Sequence, residues 1–404
     1  MHTMTKLFSI FISFALLFSS TLHAQFCTDG DRFSELSYFT ADQIESELNV
    51  VYGNAINGLG NPEDLLFDIY YPKLEEDDLA QRPFILMIHG GGFVNGNKNG
   101  LRVVCEEFAR KGFVSATMSY RLGPTQNLAA VYRAEQDAHA AMRYVVDNAS
   151  VYGVDTSWMF VGGRSAGALT ALNLTYVDQT DWNFINPTLL NDLGRIDTSG
   201  NNSQSTFTIK AIYNNWGSAS PTTIAPEEMV PMISFHGELD TTVPIDTSVN
   251  GNVGSRVLHD MLVEQGVCSD LTIQPDGGHG IYTDPDGRLF RTNKASCFFK
   301  SLFCENCTTV SVNEPIPANC STITSTGNPT AQREVRVYPN PFRDRIYVES
   351  SQQNQAFTLY DVRGQVLLSG TGIENISLAD LPAGIYFLSL PKPEKYQTFK
   401  LVKH

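Results

Sequence analysis

Apolar positions in the first 300 residues switch between two periods. Phe84-Ile85-Leu86-Met87-Ile88 is a continuous apolar run bounded by Pro83 and glycines, the pattern of a strand buried on both faces. Residues 114–120 read as a second buried strand. In the stretch 128–146, Leu128, Val131, Tyr132, Ala138, Ala141, Met142 and Val145 recur at helical spacing, and the pattern stops near Asn148. Residues 158–161 return to strand; glycine-rich 162–167 follows at once and a helical run continues to Leu174. Further strands are expected at 209–213, 232–235 and 271–274, with a helix at 255–264 between the last two. Strands alternating with helices predict an α/β class: a doubly wound, mostly parallel sheet whose functional groups gather at the carboxyl ends of its strands.

Past Cys307 the pattern changes. Residues 308–332 are rich in Thr, Ser, Pro and Asn and lack apolar periodicity, so they read as an extended linker. Short alternating runs then appear at 335–338, 346–348, 357–360, 366–368 and 385–390, separated by turn residues, which predicts a small all-β sandwich over 333–404. At the other end, Lys6 precedes an apolar run over 7–18 that closes on Leu22-His23-Ala24-Gln25. Such a run is short of the roughly 20 residues a spanning helix needs, so 1–24 reads as a secretory signal peptide and no membrane span is expected. The α/β domain is then expected over 25–307.

The chain has 404 residues, 42% hydrophobic and 18% charged, which excludes general disorder. Its net charge of −15 is uneven: residues 25–332 carry 18 Lys/Arg against 36 Asp/Glu, and residues 333–404 carry nine against seven. An acidic body repels phosphate backbones and anionic membranes, so nucleic acid is excluded as a partner and neutral substrates are expected. Export permits disulfides among the seven cysteines. Cys105 sits in a helical pattern and reads as a small buried hydrophobe. The other six allow three bridges in 15 connectivities, with Cys297, Cys304 and Cys307 close together and Cys27 within reach. No His stands at ligand spacing among them, so structural bridges are expected rather than zinc.

Gly163-Arg164-Ser165-Ala166-Gly167 is a G-x-S-x-G pattern between a predicted strand and a predicted helix. That turn forces strained dihedrals on Ser165 and brings two backbones close at the glycines, which exposes the hydroxyl at the sheet edge. His89-Gly90-Gly91-Gly92-Phe93 follows another strand. Consecutive glycines leave N–H groups unshielded, so Gly91 and Gly92, with the N–H of Ala166, are candidate donors to a negative oxygen. No Gly-Lys-Ser/Thr follows, which argues against a phosphate loop. A serine nucleophile needs a base and the base an orienting carboxylate, in the chain order Ser, acid, His. His279, in the glycine-rich loop Asp276-Gly277-Gly278-His279-Gly280, is the candidate base; His236 reads as supporting a turn and His259 as lying on an exposed helix face. Asp240 is the first choice for the carboxylate and Asp246 the second, ahead of Glu238 and Asp276.

Residues 67–303 resemble the α/β-hydrolase carboxylesterases of the hormone-sensitive-lipase and acetyl/feruloyl esterase type. The resemblance rests on His89 to Phe93, Gly163 to Gly167, the His-Gly-x-x-Asp-x-x-Val-Pro segment from His236 to Pro244, and Gly278-His279-Gly280. It implies a Ser165, Asp240 and His279 triad, oxyanion donors at Gly91, Gly92 and Ala166, an acyl-enzyme intermediate, and no metal or cofactor. Arg164 departs from the acid or small residue usual before the nucleophile, which bears on the substrate. Phe93, Arg164 and Trp216 are expected to line the pocket, and residues 176–208 to cap it.

Tyr338-Pro339-Asn340-Pro341-Phe342, Tyr360 to Gly364 and the basic end at Lys400 and Lys403 resemble the C-terminal sorting domain of type IX secretion. This implies the secretion machinery as a partner and a secreted or outer-surface location. An acetylated or feruloylated plant or algal polysaccharide outside the cell is then the expected substrate. Alternatives are a secreted lipase or polyester hydrolase, a prolyl-type peptidase, or a catalytically silent binding module displayed at the surface.

Overall fold

The computed structural model describes residues 26–27, 30–321, 336–338, 342–349, 356–361, 365–371, 375–391 and 396–403. The expected signal peptide, the linker from 322 onward, Pro339 to Pro341 and Val362 to Gly364 lie outside them. The chain separates into two compact units at Ser325/Thr326.

The first unit is built on nine strands: β1 (Ile44–Ile56), β2 (Pro62–Pro72), β3 (Arg82–Ile88), β4 (Val114–Met118), β5 (Val154–Arg164), β6 (Ile209–Asn215), β7 (Met232–Gly237), β8 (Ser269–Gln274) and β9 (Val310–Val312). They form one sheet in the order β1-β2-β4-β3-β5-β6-β7-β8-β9. The β1–β2 and β2–β4 pairs are antiparallel and all the others parallel. The helices are α1 (Arg102–Arg110), α2 (Leu128–Asp147), α3 (Ala149–Tyr152), α4 (Ala166–Tyr176), α5 (Gln179–Ile185), α6 (Thr188–Leu193), α7 (Ser255–Glu264) and α8 (Pro285–Phe303).

Successive side chains of a strand point to opposite faces, and the two cores of the unit record that alternation. Phe84, Leu86, Ile88, Met159, Val161 and Ile212 join residues of α2, α4 and α7 on one face. Ile85, Met87, Phe160, Ala211 and Tyr213 join α1 and α8 on the other. Every residue of β3 and β4 is buried, which is why β3 reads as a continuous apolar run.

Several expectations are corrected. The antiparallel β1 and β2 are additions to the expected strands; β1 carries no apolar run that separates it from a loop, because most of it faces solvent. Residues 310–312 do not belong to a free linker: as β9 they extend the sheet beside β8, and a Cys297–Cys320 disulfide ties the chain back further on. His259 is buried, its Nδ1 2.8 Å from the Ser269 hydroxyl, because the helix packs its polar-looking face against β8. Residues 176–208 contain α5 and α6 and do not cap the cleft; Trp182, Leu189 and Ile196 pack on Tyr132 of α2, and Trp182 Nε1 donates to Glu135.

Three disulfides close the unit: Cys27–Cys304, Cys268–Cys307 and Cys297–Cys320, while Cys105 is free and buried. Cys27–Cys304 spans 277 residues and so removes most unfolded-chain freedom. Replacing both cysteines by serine is expected to lower stability by about 2–5 kcal/mol, read from chemical denaturation of the oxidised protein.

The second unit contains β10 (Arg336–Tyr338), β11 (Arg345–Glu349), β12 (Ala356–Tyr360), β13 (Val366–Thr371), β14 (Asn375–Ser377), β15 (Gly384–Pro391) and β16 (Tyr396–Lys403). They form two antiparallel sheets, β10-β11-β14 and β13-β12-β15-β16. Ile346, Val348, Phe357, Leu359, Leu388, Leu390 and Leu401 share one core, the packing of a small sandwich. Among the described residues no helix is long and apolar enough to cross a membrane.

Candidate active site

Strand β5 and helix α4 are separated by one residue, Ser165, at φ 54° and ψ −125°. A left-handed φ is costly for a side chain with a Cβ, and the surroundings hold it there. Ser165 N–H donates to the Asn215 carbonyl at 3.0 Å. A Cβ on Gly163 would lie 2.4 Å from the Gly167 carbonyl, and one on Gly167 would lie 2.1 Å from the Ile88 carbonyl. Both contacts are with backbone, which cannot swing aside. Gly167→Ala is therefore expected to displace Ser165 and lower kcat at least about 100-fold, since small misplacements of reacting groups carry penalties of that order. Single-turnover kinetics on a soluble ester would measure it.

The Ser165 Oγ lies 2.8 Å from His279 Nε2, and His279 Nδ1 lies 2.8 Å from Asp240 Oδ2. His279 reaches this position because its loop sits directly on the end of β7: a Cβ on Gly237 would be 2.3 Å from the Gly278 carbonyl, and Leu239 N–H donates to the Gly277 carbonyl. Asp240 begins a tight turn in which its Oδ1 accepts the N–H groups of Thr242 and Val243, each at 2.9 Å. Its side chain is fully buried, whereas His279 remains partly open to solvent. Burial alone would raise the Asp240 pKa; hydrogen bonds from His236, Val243 and His279 overcome it and hold the group at about 2. The carboxylate is therefore an acceptor only, which places the His279 proton on Nδ1 and leaves the Nε2 lone pair toward Ser165.

His236 supports more than a turn. Its Nε2 faces two acceptors, the Val243 carbonyl at 2.8 Å and Asp240 Oδ2 at 3.3 Å, and its Nδ1 lies 2.7 Å from the Ser255 hydroxyl. Nε2 thus carries the proton, and the ring clamps the Asp240 turn onto β7. The other acids stand elsewhere: Glu238 and Asp246 both pair with Arg256, and Asp276 is exposed. His404 lies outside the described residues.

The glycine loop stands opposite. Gly91, Gly92 and Phe93 have φ of 119°, 62° and 64°, and the N–H groups of Val94 and Asn95 close the turn onto the Gly91 carbonyl. His89 stacks on Tyr120 at 4.2 Å and its Nδ1 meets the Gly90 carbonyl; burial holds its pKa down at about 4, so it is neutral. Gly90 approaches the serine turn so closely that a Cβ would lie 2.7 Å from the Arg164 carbonyl. Gly91, Gly92 and Ala166 border one cavity with Ser165 and His279, of about 610 Å³, and Phe93, Arg164 and Trp216 line it. Trp216 meets the His279 ring edge-on at 6.4 Å. Gly90, Asn95, Gly96, Gln126, Leu169, Thr242 and Val243 complete the lining, and of these Asn95, Gly96, Gln126, Leu169 and Thr242 are not singled out by the sequence. Among those five only Thr242 carried a signal there, as a residue an Asx turn from Asp240 would bond.

Glu35, Cys297 and Cys320 cluster tightly, but the two sulfurs are joined to each other and Glu35 accepts the Cys320 and Ser321 N–H groups. That is a chain anchor, not a ligand set.

Residues 67–219 match the BD-FAE family model, and residues 336–404 match that of the Secretion system C-terminal sorting domain. Phenmedipham hydrolase of Pseudarthrobacter oxydans is 33% identical over 108 residues, 26% of this chain and 21% of that protein. Esterase LipI of Mycobacterium tuberculosis is 34% identical over 129 residues, 32% of this chain and 38% of that protein. The chain therefore spans well under half the length of these relatives. The propionate-bound thermophilic esterase of Thermogutta terrifontis superposes with a TM-score of 0.49 at 22% identity, covering 67% of this chain and 98% of that one. This chain thus carries a BD-FAE domain over residues 67–219 and a type IX Secretion system C-terminal sorting domain over residues 336–404.

Proposed function

We propose that the protein is an exported serine carboxylic-ester hydrolase. The observation that carries this reading is the continuous relay of two 2.8 Å contacts from the Ser165 hydroxyl through His279 to a buried, ionised Asp240. In the reaction His279 Nε2 takes the Ser165 proton as Oγ attacks the ester carbonyl. Asp240 stabilises the imidazolium without taking the proton. The N–H groups of Gly91, Gly92 and Ala166 receive the negative oxygen; His279 then protonates the departing alcohol, and a water repeats the sequence to release the acid. A glycine-loop cradle of this kind favours esters over prolyl amides, and the matched relatives named as an esterase and a hydrolase support the same chemistry. The C-terminal sorting domain directs the enzyme to the secretion machinery and so to the exterior, where acetyl or feruloyl esters on polysaccharide are the substrates assigned.

A fluorophosphonate probe followed by peptide mass spectrometry tests the mechanism. The expected result is one adduct, on Ser165, with matching loss of p-nitrophenyl acetate hydrolysis. Labelling elsewhere with activity lost, or full activity after Ser165 is labelled, overturns it. Assays on acetylated xylan, methyl ferulate and long-chain esters test the substrate; preference for long acyl chains overturns the polysaccharide assignment.

A further inference from the structure

Arg164 is half-buried beside the nucleophile and borders the cavity at Ser165. Apart from His279, it is the only titratable side chain in that lining. Among the described residues its guanidinium meets no hydrogen-bond acceptor and no carboxylate. Other buried cations of the unit have acceptors: Arg32 and Arg82 meet Asp77, Lys98 meets Asp68, Arg121 meets Asp137 and Lys294 meets Asp270, while Lys111 and Arg143 are held by carbonyl and amide oxygens. The guanidinium end lies beside Gly100, where a Cβ would be 2.7 Å from Arg164 Nη2.

The nearest charge is a second cation. Arg291 lies over the Trp216 ring at 5.1 Å and spends its donors on neutral acceptors, the Tyr282 carbonyl and Asn215 Oδ1. Burial and Arg291 together push the Arg164 pKa down. A guanidinium stays charged regardless, so the cavity wall keeps a partly desolvated positive charge without a protein counter-ion. One planar fork with free donors matches one carboxylate. The chain's overall negative charge does not oppose this, because it is screened over about 8 Å at physiological salt while Arg164 acts at contact.

We propose that Arg164 binds a carboxylate on the substrate, so that the preferred substrates are anionic esters; this rests on the esterase reading above. The carboxylate resides either in the acyl group or in the alcohol, and the assay separates the two. Monomethyl glutarate against methyl glutaramate places it in the acyl group, and 3-acetoxybenzoate against 3-acetoxybenzamide places it in the alcohol. The wild-type protein is expected to favour the anionic member of at least one pair about 10-fold or more in kcat/KM, mainly through KM, with the preference shrinking as salt rises. Arg164→Gln is expected to cut that ratio at least 10-fold and Arg164→Lys to restore part of it. A wild-type ratio of one or below in both pairs overturns the proposal without needing any variant. So does a parallel loss on charged and neutral esters in Arg164→Gln, which is the mark of a merely structural role. Neutral esters turned over with no anionic preference leave the esterase reading intact; no turnover of any ester overturns both.

Discussion

Ser165→Ala is expected to reduce ester hydrolysis about 10⁴- to 10⁶-fold while leaving the fold unchanged. The hydroxyl supplies the bond-forming oxygen and nothing in the site replaces it. Its packing role is small, because Oγ meets only His279 and the turn is held through backbone, by Ser165 N–H on the Asn215 carbonyl. Alanine retains the Cβ and so inherits the same strained φ without adding to it. The remaining rate reflects binding and the N–H cradle acting on water. Steady-state hydrolysis of p-nitrophenyl acetate, with circular dichroism as the fold control, measures this; rates within 10-fold of wild type would remove Ser165 from the mechanism.

Asp240→Asn is the second large effect, about 10⁴-fold on kcat. An amide is isosteric with the carboxylate, but it offers donors as well as an acceptor. Its oxygen is drawn to the Thr242 and Val243 N–H groups that Asp240 Oδ1 now satisfies, which turns the NH₂ toward His279. Nδ1 must then accept, the proton moves to Nε2, and the base faces Ser165 with its lone pair gone. The same substitution has a pH signature in stability. The folded pKa of Asp240 lies below the ordinary 3.8, so its contribution is present above that value and is lost as pH falls through about 2. The stability gap between wild type and Asp240→Asn is therefore expected to be full above about pH 4 and to narrow steadily toward pH 2. Denaturation series at fixed ionic strength would read it, and a gap independent of pH would contradict the buried, ionised carboxylate.

Much of this architecture is legible along the chain. Strands β3 and β4 are covered on both faces, so their buried residues are contiguous in sequence, and α2 shows its buried stripe at helical spacing. Ser165 and the two glycine motifs are readable for a different reason: backbone contacts under 3 Å leave glycine no alternative at Gly163, Gly167 and Gly237. Where a position is constrained locally, by period or by close approach, residue identity alone betrays it.

Local pattern fails where partners are distant in sequence. Strand β1 is mostly exposed and looks like a loop until it pairs with β2. Trp182 and Leu189 have the composition of a lid, yet they belong to α2's outer surface, and no helical or strand period distinguishes those two destinations. His259 looks solvent-facing because it owes its burial to β8, where Ser269 meets its ring ten residues further on.

The sequence by itself determined the alternation of the central strands and helices, the elbow serine and its glycines, and a short set of candidate acids and bases, because these depend on spacing within a few residues. Only the tertiary structure decided that Asp240 rather than Asp246 faces His279, that His236 braces the acid, which cysteines pair, and that Arg164 stands in the cleft without a counter-ion. Those outcomes are set by through-space distances between residues up to 277 positions apart, and no local propensity encodes them.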